Sequence, residues 1–245
     1  MIINIDEFIH ASIEANAALY QIIKEGFDRR HCQKLFVGAG GDVSREIDIM
    51  AENIFIKYLS SFGQIYSEES GEIGEGEYRI ILDPIDGSDN FLSQIPYFGS
   101  SIALEKEGKV LAGIICNFAN GDVFIKSDSY FKVGNLEKKD FVAVVNNTCS
   151  SVGIFERAYR SVNYAKKLFD AEIKYRIPGA AALSFAYAYR VEFVIFEGEV
   201  REFDSKAGFF MCENLYKYEY NDLTLICKDL KQFEFLKNIL LGDAS

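Results

Sequence analysis

The stretch Ile80-Ile81-Leu82-Asp83-Pro84-Ile85-Asp86-Gly87-Ser88-Asp89-Asn90-Phe91 holds the residues best suited to chemistry. An apolar run of strand character reads as ending at Asp83, where Pro84 fixes φ and a turn follows. Asp86 comes three residues after the first carboxylate, and Gly87-Ser88 can open a short helix. A strand end, turn and helix start of this kind aims two carboxylates and a backbone carbonyl at one point. It also leaves free N–H groups at the helix start, where an anion can sit. Hard carboxylate oxygens beside an anion cradle suit Mg2+ and a phosphate. An Asx-rich turn without a ligand uses the same residue types, so the assignment depends on partners elsewhere in the chain.

Three further segments repeat the pattern of strand-like residues followed by an acid at a turn. Ile65-Tyr66-Ser67-Glu68-Glu69-Ser70 is a short apolar run ending in paired carboxylates. Asp42-Val43-Ser44-Arg45-Glu46-Ile47-Asp48 leads into an amphipathic helix with acids at its start. Glu202-Phe203-Asp204-Ser205-Lys206-Ala207-Gly208 places Asp204 just before a small-residue helix opening. Each is weak alone, because a surface acid is usually a solvated charge; together they strengthen one another.

In these motifs the chain resembles the inositol monophosphatase and fructose-1,6-bisphosphatase superfamily of Mg2+-dependent phosphatases. The resemblance runs through Asp83-Pro84-Ile85-Asp86-Gly87-Ser88 with Asn90-Phe91, Glu68-Glu69-Ser70, and Phe203-Asp204 with Ala207-Gly208, and extends from about Asp6 to about Leu241. It implies an α+β fold, a layered αβαβα sandwich with two or three Mg2+ ions where its halves meet, and a homodimer. Asp83 would bridge two metals, Glu68 and the Ile85 carbonyl would complete the first site, and Asp86 and Asp204 the second. Ser88, at the family's usual threonine position, would orient the attacking water with help from Asp48. Asp86, Gly87 and Ser88 would face the phosphate, and Glu69 would bind a third metal or buttress the site. Arg176-Ile177-Pro178-Gly179-Ala180-Ala181 resembles the segment lining the substrate pocket, which brings in Gly179 and Ala181. Glu197, seven residues before Asp204, matches a glutamate that binds polyol hydroxyls.

The implied activity is hydrolysis of a small polyol or sugar phosphate, with inositol monophosphate first. Fructose 1,6-bisphosphate, 3′-phosphoadenosine 5′-phosphate and a non-catalytic, transcription-associated binding role remain alternatives. Phe203 departs from the family's tryptophan and Lys206 from its small residue. Lys206, Arg190 and Arg201 each suit either a second phosphate or an ordinary surface role, and the residues leave that open.

Other chemistries fit less well. Asp83 and Asp86 lack the Asp-x-Asp spacing of haloacid-dehalogenase-type sites. There is no Gly-x-Ser-x-Gly elbow and no Cys-x5-Arg phosphate loop. Gly38-Ala39-Gly40-Gly41 lacks the Gly-Lys-Ser/Thr ending of a phosphate loop and reads as flexible. Asp42 reads as a turn former or N-cap rather than a ligand.

Periodicity indicates the elements that must carry these residues. Phe8, Ile9, Ile13, Ala17, Tyr20 and Ile23 share a helical face with Asp6 as N-cap, and a second helix spans Arg45 to Tyr58. Strands follow at Gln64–Ser67 and Tyr78–Leu82. A meander then runs through Ser100–Glu105, Val110–Asn117, Asp122–Lys126 and Tyr130–Val133. Strands are expected at Phe141–Val145, Ile173–Arg176, Glu192–Phe196 and Leu223–Cys227, with helices at Ile154–Phe169, Ala180–Tyr189, Lys206–Leu215 and Lys231–Leu241. We expect residues 1–245 to form one structural unit of two lobes, about 1–140 and 141–245.

Composition sets the remaining bounds. With 49% apolar residues among 245, the chain can bury a large core. A net charge of −11 argues against nucleic acid or an anionic membrane as partner, so a phosphorylated substrate needs local cations. Five scattered cysteines without C-x-x-C spacing indicate free thiols. No leader pattern or membrane-length apolar run is present, so a cytoplasmic location is expected.

Overall fold

The computed structural model describes residues 3–138, 140–220 and 222–242. Met1 and Ile2, where no leader pattern is expected, lie outside them. Helix α1 (Ile5–Lys24) is capped by Asn4, whose side-chain oxygen accepts from the Asp6 and Glu7 N–H groups. Asp6, the expected cap, lies in the first turn instead, where its charge favours the helix dipole. A hairpin of β1 (Lys34–Val37) and β2 (Val43–Arg45) leads into α2 (Glu46–Leu59).

The main sheet contains β3 (Gln64–Ser67), β4 (Gly71–Ile73), β5 (Arg79–Asp86), β6 (Gly99–Lys106), β7 (Lys109–Asn117), β8 (Asp122–Ser127), β9 (Phe131–Asn135) and β10 (Val142–Ala143). The strands lie in the order β10-β9-β8-β7-β6-β5-β3-β4, and β3 and β5 are parallel. Between β5 and β6 comes the short helix α3 (Ser88–Leu92). Strand β5 does not stop at Asp83 as expected. Asp83 pairs with Ser101 and Asp86 with Gly99, with a register irregularity between them. Pro84 therefore sits at a bulge, where its missing N–H breaks no ladder bond.

The second sheet contains β11 (Gly153–Glu156), β12 (Tyr175–Arg176), β13 (Phe193–Glu197), β14 (Tyr216–Tyr220) and β15 (Leu223–Cys227), in the order β12-β11-β13-β15-β14. Around it lie α4 (Val162–Asp170), α5 (Ala181–Ala186), α6 (Glu202–Met211) and α7 (Leu230–Leu241). The helix expected over Ile154–Phe169 is instead a strand followed by α4. β11 lies between β12 and β13 and is buried on both faces, so its continuous apolar run carries no period-2 signal. The strand expected at Phe141–Val145 shortens to β10, and the helix over Ala180–Tyr189 splits into α5 and a 3-10 turn.

Four apolar clusters separate five layers, as the αβαβα expectation requires. Phe8, Leu19, Ile47 and Phe55 pack α1 and α2 on one face of the main sheet. Ile81, Ile115 and Phe124 on its other face meet Leu183, Phe203 and Met211 of α5 and α6. Those two helices also cover Ile154, Val194, Phe196 and Ile226 of the second sheet. Phe155, Phe193, Ile195 and Leu225 face outward against Leu168, Phe233 and Leu236 of α4 and α7. The central helix layer thus places the start of α6 beside the ends of β3 and β5.

Candidate metal centre

At that junction is a cavity of about 500 Å³. Asp48 enters from the first turn of α2, Glu68 and Glu69 follow β3, and Asp83, Ile85 and Asp86 lie on β5. Gly87 and Ser88 open α3, Gly179 and Ala181 precede and begin α5, and Asp204 lies in the first turn of α6. Acidic side chains outnumber arginines in this lining by nine to four, so the cavity is strongly acidic. One carboxylate oxygen from each of Glu68, Asp83 and Asp204 lies within 4.8 Å of the others. Asp86 stands apart from that triplet: its Oδ2 accepts the Leu183 N–H at 2.9 Å. Asp83 Oδ1 accepts the Ile85 N–H at 2.9 Å, which holds its carboxylate in place across the bulge.

Burial dominates the electrostatics. Desolvation, reinforced by Glu69, pushes the Asp48 carboxyl up to about 7, against an opposing hydrogen bond from the Arg45 N–H. Desolvation likewise raises Glu68 to about 7, with Arg201 opposing and Asp204 adding to the rise. Asp83 is held well above the ordinary carboxylate range by burial and then by Glu68, Asp86 and Asp204; burial and then Asp204 do the same to Asp86. Asp48 Oδ1 is buried without a hydrogen-bond partner. Buried, converging, mutually repelling hard oxygens are the donor set of a divalent cation such as Mg2+, and the residues fit one.

Arg201 is the member of the site whose role its sequence left open. It precedes α6, and its Nη1 donates to Glu68 Oε1 at 2.5 Å and to Asp42 Oδ2 at 2.9 Å. Its Nε donates to Asp204 Oδ2 at 3.1 Å. Burial opposes its charge, but Asp204 and Glu68 more than offset this and hold it protonated. Asp42 is thus a turn residue of the β1–β2 hairpin that pairs with Arg201, not a helix cap. The loop at Gly38–Gly41, expected to be flexible, is pinned: the Ala39 and Gly40 N–H groups donate to the carbonyls of Glu69 and Glu68. A Cβ at Gly40 would lie 2.5 Å from Glu68 Cγ, so only glycine lets the loop approach.

Glu197, expected at the substrate, and Lys206 and Arg190, whose roles the sequence leaves open, lie elsewhere. Glu197 is absent from this cavity and lines a separate one with Tyr164, Lys166, Lys167 and Leu240. Along β13, Val194 and Phe196 point inward while Phe193 and Ile195 point outward, and the alternation sends Glu197 outward with the latter pair. Lys206 pairs with Glu105 at 2.6 Å and Arg190 with Asp122 at 2.8 Å, and neither lines the central cavity.

Glu156, which the sequence does not single out because its segment has the pattern of a helix, also belongs to the site. It ends β11, accepts from the Gly179 N–H and from Ser184 Oγ at 2.5 Å, and lines the cavity. Its signal was the same one as elsewhere, an apolar run ending in an acid. Asn90 Nδ2 donates to the carbonyls of Tyr97 and Pro178, both at 2.7 Å, and so ties α3 to the Gly179 wall.

The fold and site together define a layered sandwich with a carboxylate centre between its two sheets. This chain belongs to the inositol monophosphatase family, whose model matches residues 4–214. It is similar to an inositol-1-monophosphatase of Mesorhizobium japonicum, 39% identical over 89 residues, or 34% of each chain. A fructose-1,6-bisphosphatase/inositol-1-monophosphatase of Methanothermobacter thermautotrophicus is 29% identical over 171 residues, covering 62% of this chain and 60% of that one. The matched segments thus span between a third and three fifths of these relatives' lengths. The structure of the extragenic suppressor protein suhB from Bartonella henselae superimposes with a TM-score of 0.77, at 24% identity over 97% of this chain and 98% of that one. That likeness speaks to the fold.

Proposed function

We propose that this protein is a Mg2+-dependent phosphomonoesterase of small polyol or sugar phosphates, with inositol monophosphate the first candidate. The observation that carries the reading is the buried convergence of Glu68, Asp83 and Asp204. These residues, with Asp86 and the Ile85 carbonyl, would hold two or three divalent cations. When bound, such cations offset the charge of a phosphate dianion and acidify their water. Asp48, with its carboxyl near neutrality and Oδ1 unpaired, is suited to accept a proton from a water oriented by Ser88 Oγ. The Gly87 and Ser88 N–H groups would hold phosphate oxygens, with Gly179 and Ala181 bounding the leaving group.

One observation favours a second reading. Arg157 and Arg160 also line the cavity, which suits a substrate with a second phosphate such as fructose 1,6-bisphosphate. Among the described residues no helix is long and apolar enough to cross a membrane, and the five cysteines are free. A cytoplasmic location and a homodimer belong to the same proposal, the latter by family likeness.

The test is a panel of inositol 1-phosphate, fructose 1,6-bisphosphate and 3′-phosphoadenosine 5′-phosphate, assayed with Mg2+ and with a chelator. Mg2+-dependent release of phosphate from inositol 1-phosphate is expected. Hydrolysis of none of the three would overturn the enzymatic reading in favour of a binding role, and preference for the adenosine bisphosphate would overturn the substrate class.

A further inference from the structure

We propose that Arg201 is a tethered cation that competes with the divalent metal for the carboxylates of the centre and sets how much free metal the protein requires. The inference rests on the metal-site reading above. Its basis is geometric: one guanidinium binds Glu68 at 2.5 Å and Asp204 at 3.1 Å, two of the three carboxylates that converge within 4.8 Å. A metal ligating those oxygens directly would lie within a few ångströms of the guanidinium, and two like charges that close repel strongly. Full metal occupancy therefore requires Arg201 to yield.

The structure provides a place for it to go. Nη1 already bonds Asp42 Oδ2 at 2.9 Å and lies 3.4 Å from the Gly40 carbonyl, neither in the carboxylate triplet. The Asp42 side chain is 85% exposed, so nothing in the core depends on it. A turn of the guanidinium toward Asp42 releases Glu68 and Asp204 while keeping one ion pair. Because Arg201 stands three residues before Asp204, the competing cation and the ligand ride on the same start of α6. Until metal arrives, the same contacts act as counter-charge to a cluster that would otherwise repel itself.

The test compares the full-length protein with Arg201→Gln and Arg201→Lys, using Mn2+ as probe. Mn2+ affinity is read by calorimetry and thermal stability in a chelator and at saturating Mn2+. Arg201→Gln is expected to bind Mn2+ about tenfold tighter or more, since the competitor is gone. It should melt below wild type in the chelator and recover most of that deficit in Mn2+. Arg201→Lys keeps the charge but not the fork that grips two carboxylates, and should bind roughly threefold tighter than wild type. It carries the test alone if the glutamine variant does not fold. Equal or weaker Mn2+ binding by the variants overturns the proposal, as does a melting deficit of the same size with and without Mn2+. Failure of the wild-type protein to bind Mn2+ would instead overturn the metal-site reading on which the inference rests.

Discussion

Replacing Asp83 by asparagine should separate the two demands placed on the carboxylate cluster, folding and cation binding. Asp83 is 2% exposed, and its oxygen lies no farther than 4.8 Å from those of Glu68 and Asp204. At an effective dielectric of ~20, one like-charge pair at that distance costs about 3.5 kcal/mol, and Asp83 takes part in two. The Arg201 ion pairs and the raised carboxyl pKa values, which let protons relieve the repulsion, offset most of it. A net gain of about 1–3 kcal/mol remains when the charge is removed at a pH that ionises the cluster. The asparagine Oδ1 can still accept the Ile85 N–H, so the bulge keeps its hydrogen bond. In a chelator the variant should therefore melt about 2–10 °C above wild type. With saturating Mg2+ its hydrolytic kcat should fall below about a tenth of wild type, a barrier rise of more than ~1.4 kcal/mol. A variant that melts lower than wild type in the chelator would refute the electrostatic argument. One that keeps more than a tenth of kcat would refute the metal assignment.

Gly40→Ala drives a methyl group to within 2.5 Å of Glu68 Cγ and should cost about 1–3 kcal/mol of stability while weakening Mn2+ binding, both measurable by melting with and without metal. An unchanged Mn2+ affinity would mean that Glu68 is not held by this loop. In a chelator, stability should fall as pH rises from about 4 to above 7, because the folded state raises Asp48 and Glu68 to about 7 and so binds more protons than the unfolded chain across that window. Saturating Mg2+, which favours the ionised carboxylates, should flatten that slope, and melting curves across pH would expose a rise in the chelator as contrary evidence. Glu197→Ala, on the outer face of the second sheet, should change turnover of inositol 1-phosphate and of an aryl phosphate by the same factor. A loss confined to the inositol ester would return Glu197 to the substrate.

Where sequence and structure part, the cause is specific. The run Gly153-Ile154-Phe155-Glu156 has no alternation to betray a strand, because neighbours and helices bury it on both faces. Its neighbours Tyr175–Arg176 and Phe193–Glu197 lie tens of residues downstream, so no local signal contains the pairing. Glu197 has the family's spacing to Asp204, yet spacing along the chain does not determine which face of β13 a side chain takes. Register did that, by placing it two residues after outward-facing Ile195.

The sequence by itself determined which segments carry the acids Glu68, Asp83, Asp86 and Asp204, the meander from Ser100 onward and most of the helices. These follow from local terms: side-chain period, turn residues and the proline at Pro84. Only the tertiary structure decided that Glu68, Asp83 and Asp204 meet within 4.8 Å and that Asp48 loses its solvent. It alone placed Arg201 among them, 133 residues from Glu68 and 159 from Asp42. Such contacts exist because two sheets share one central helix layer. Burial then turns residues that would be ordinary surface charges into strongly interacting ones, since the water that screens a charge at the surface is absent at that junction.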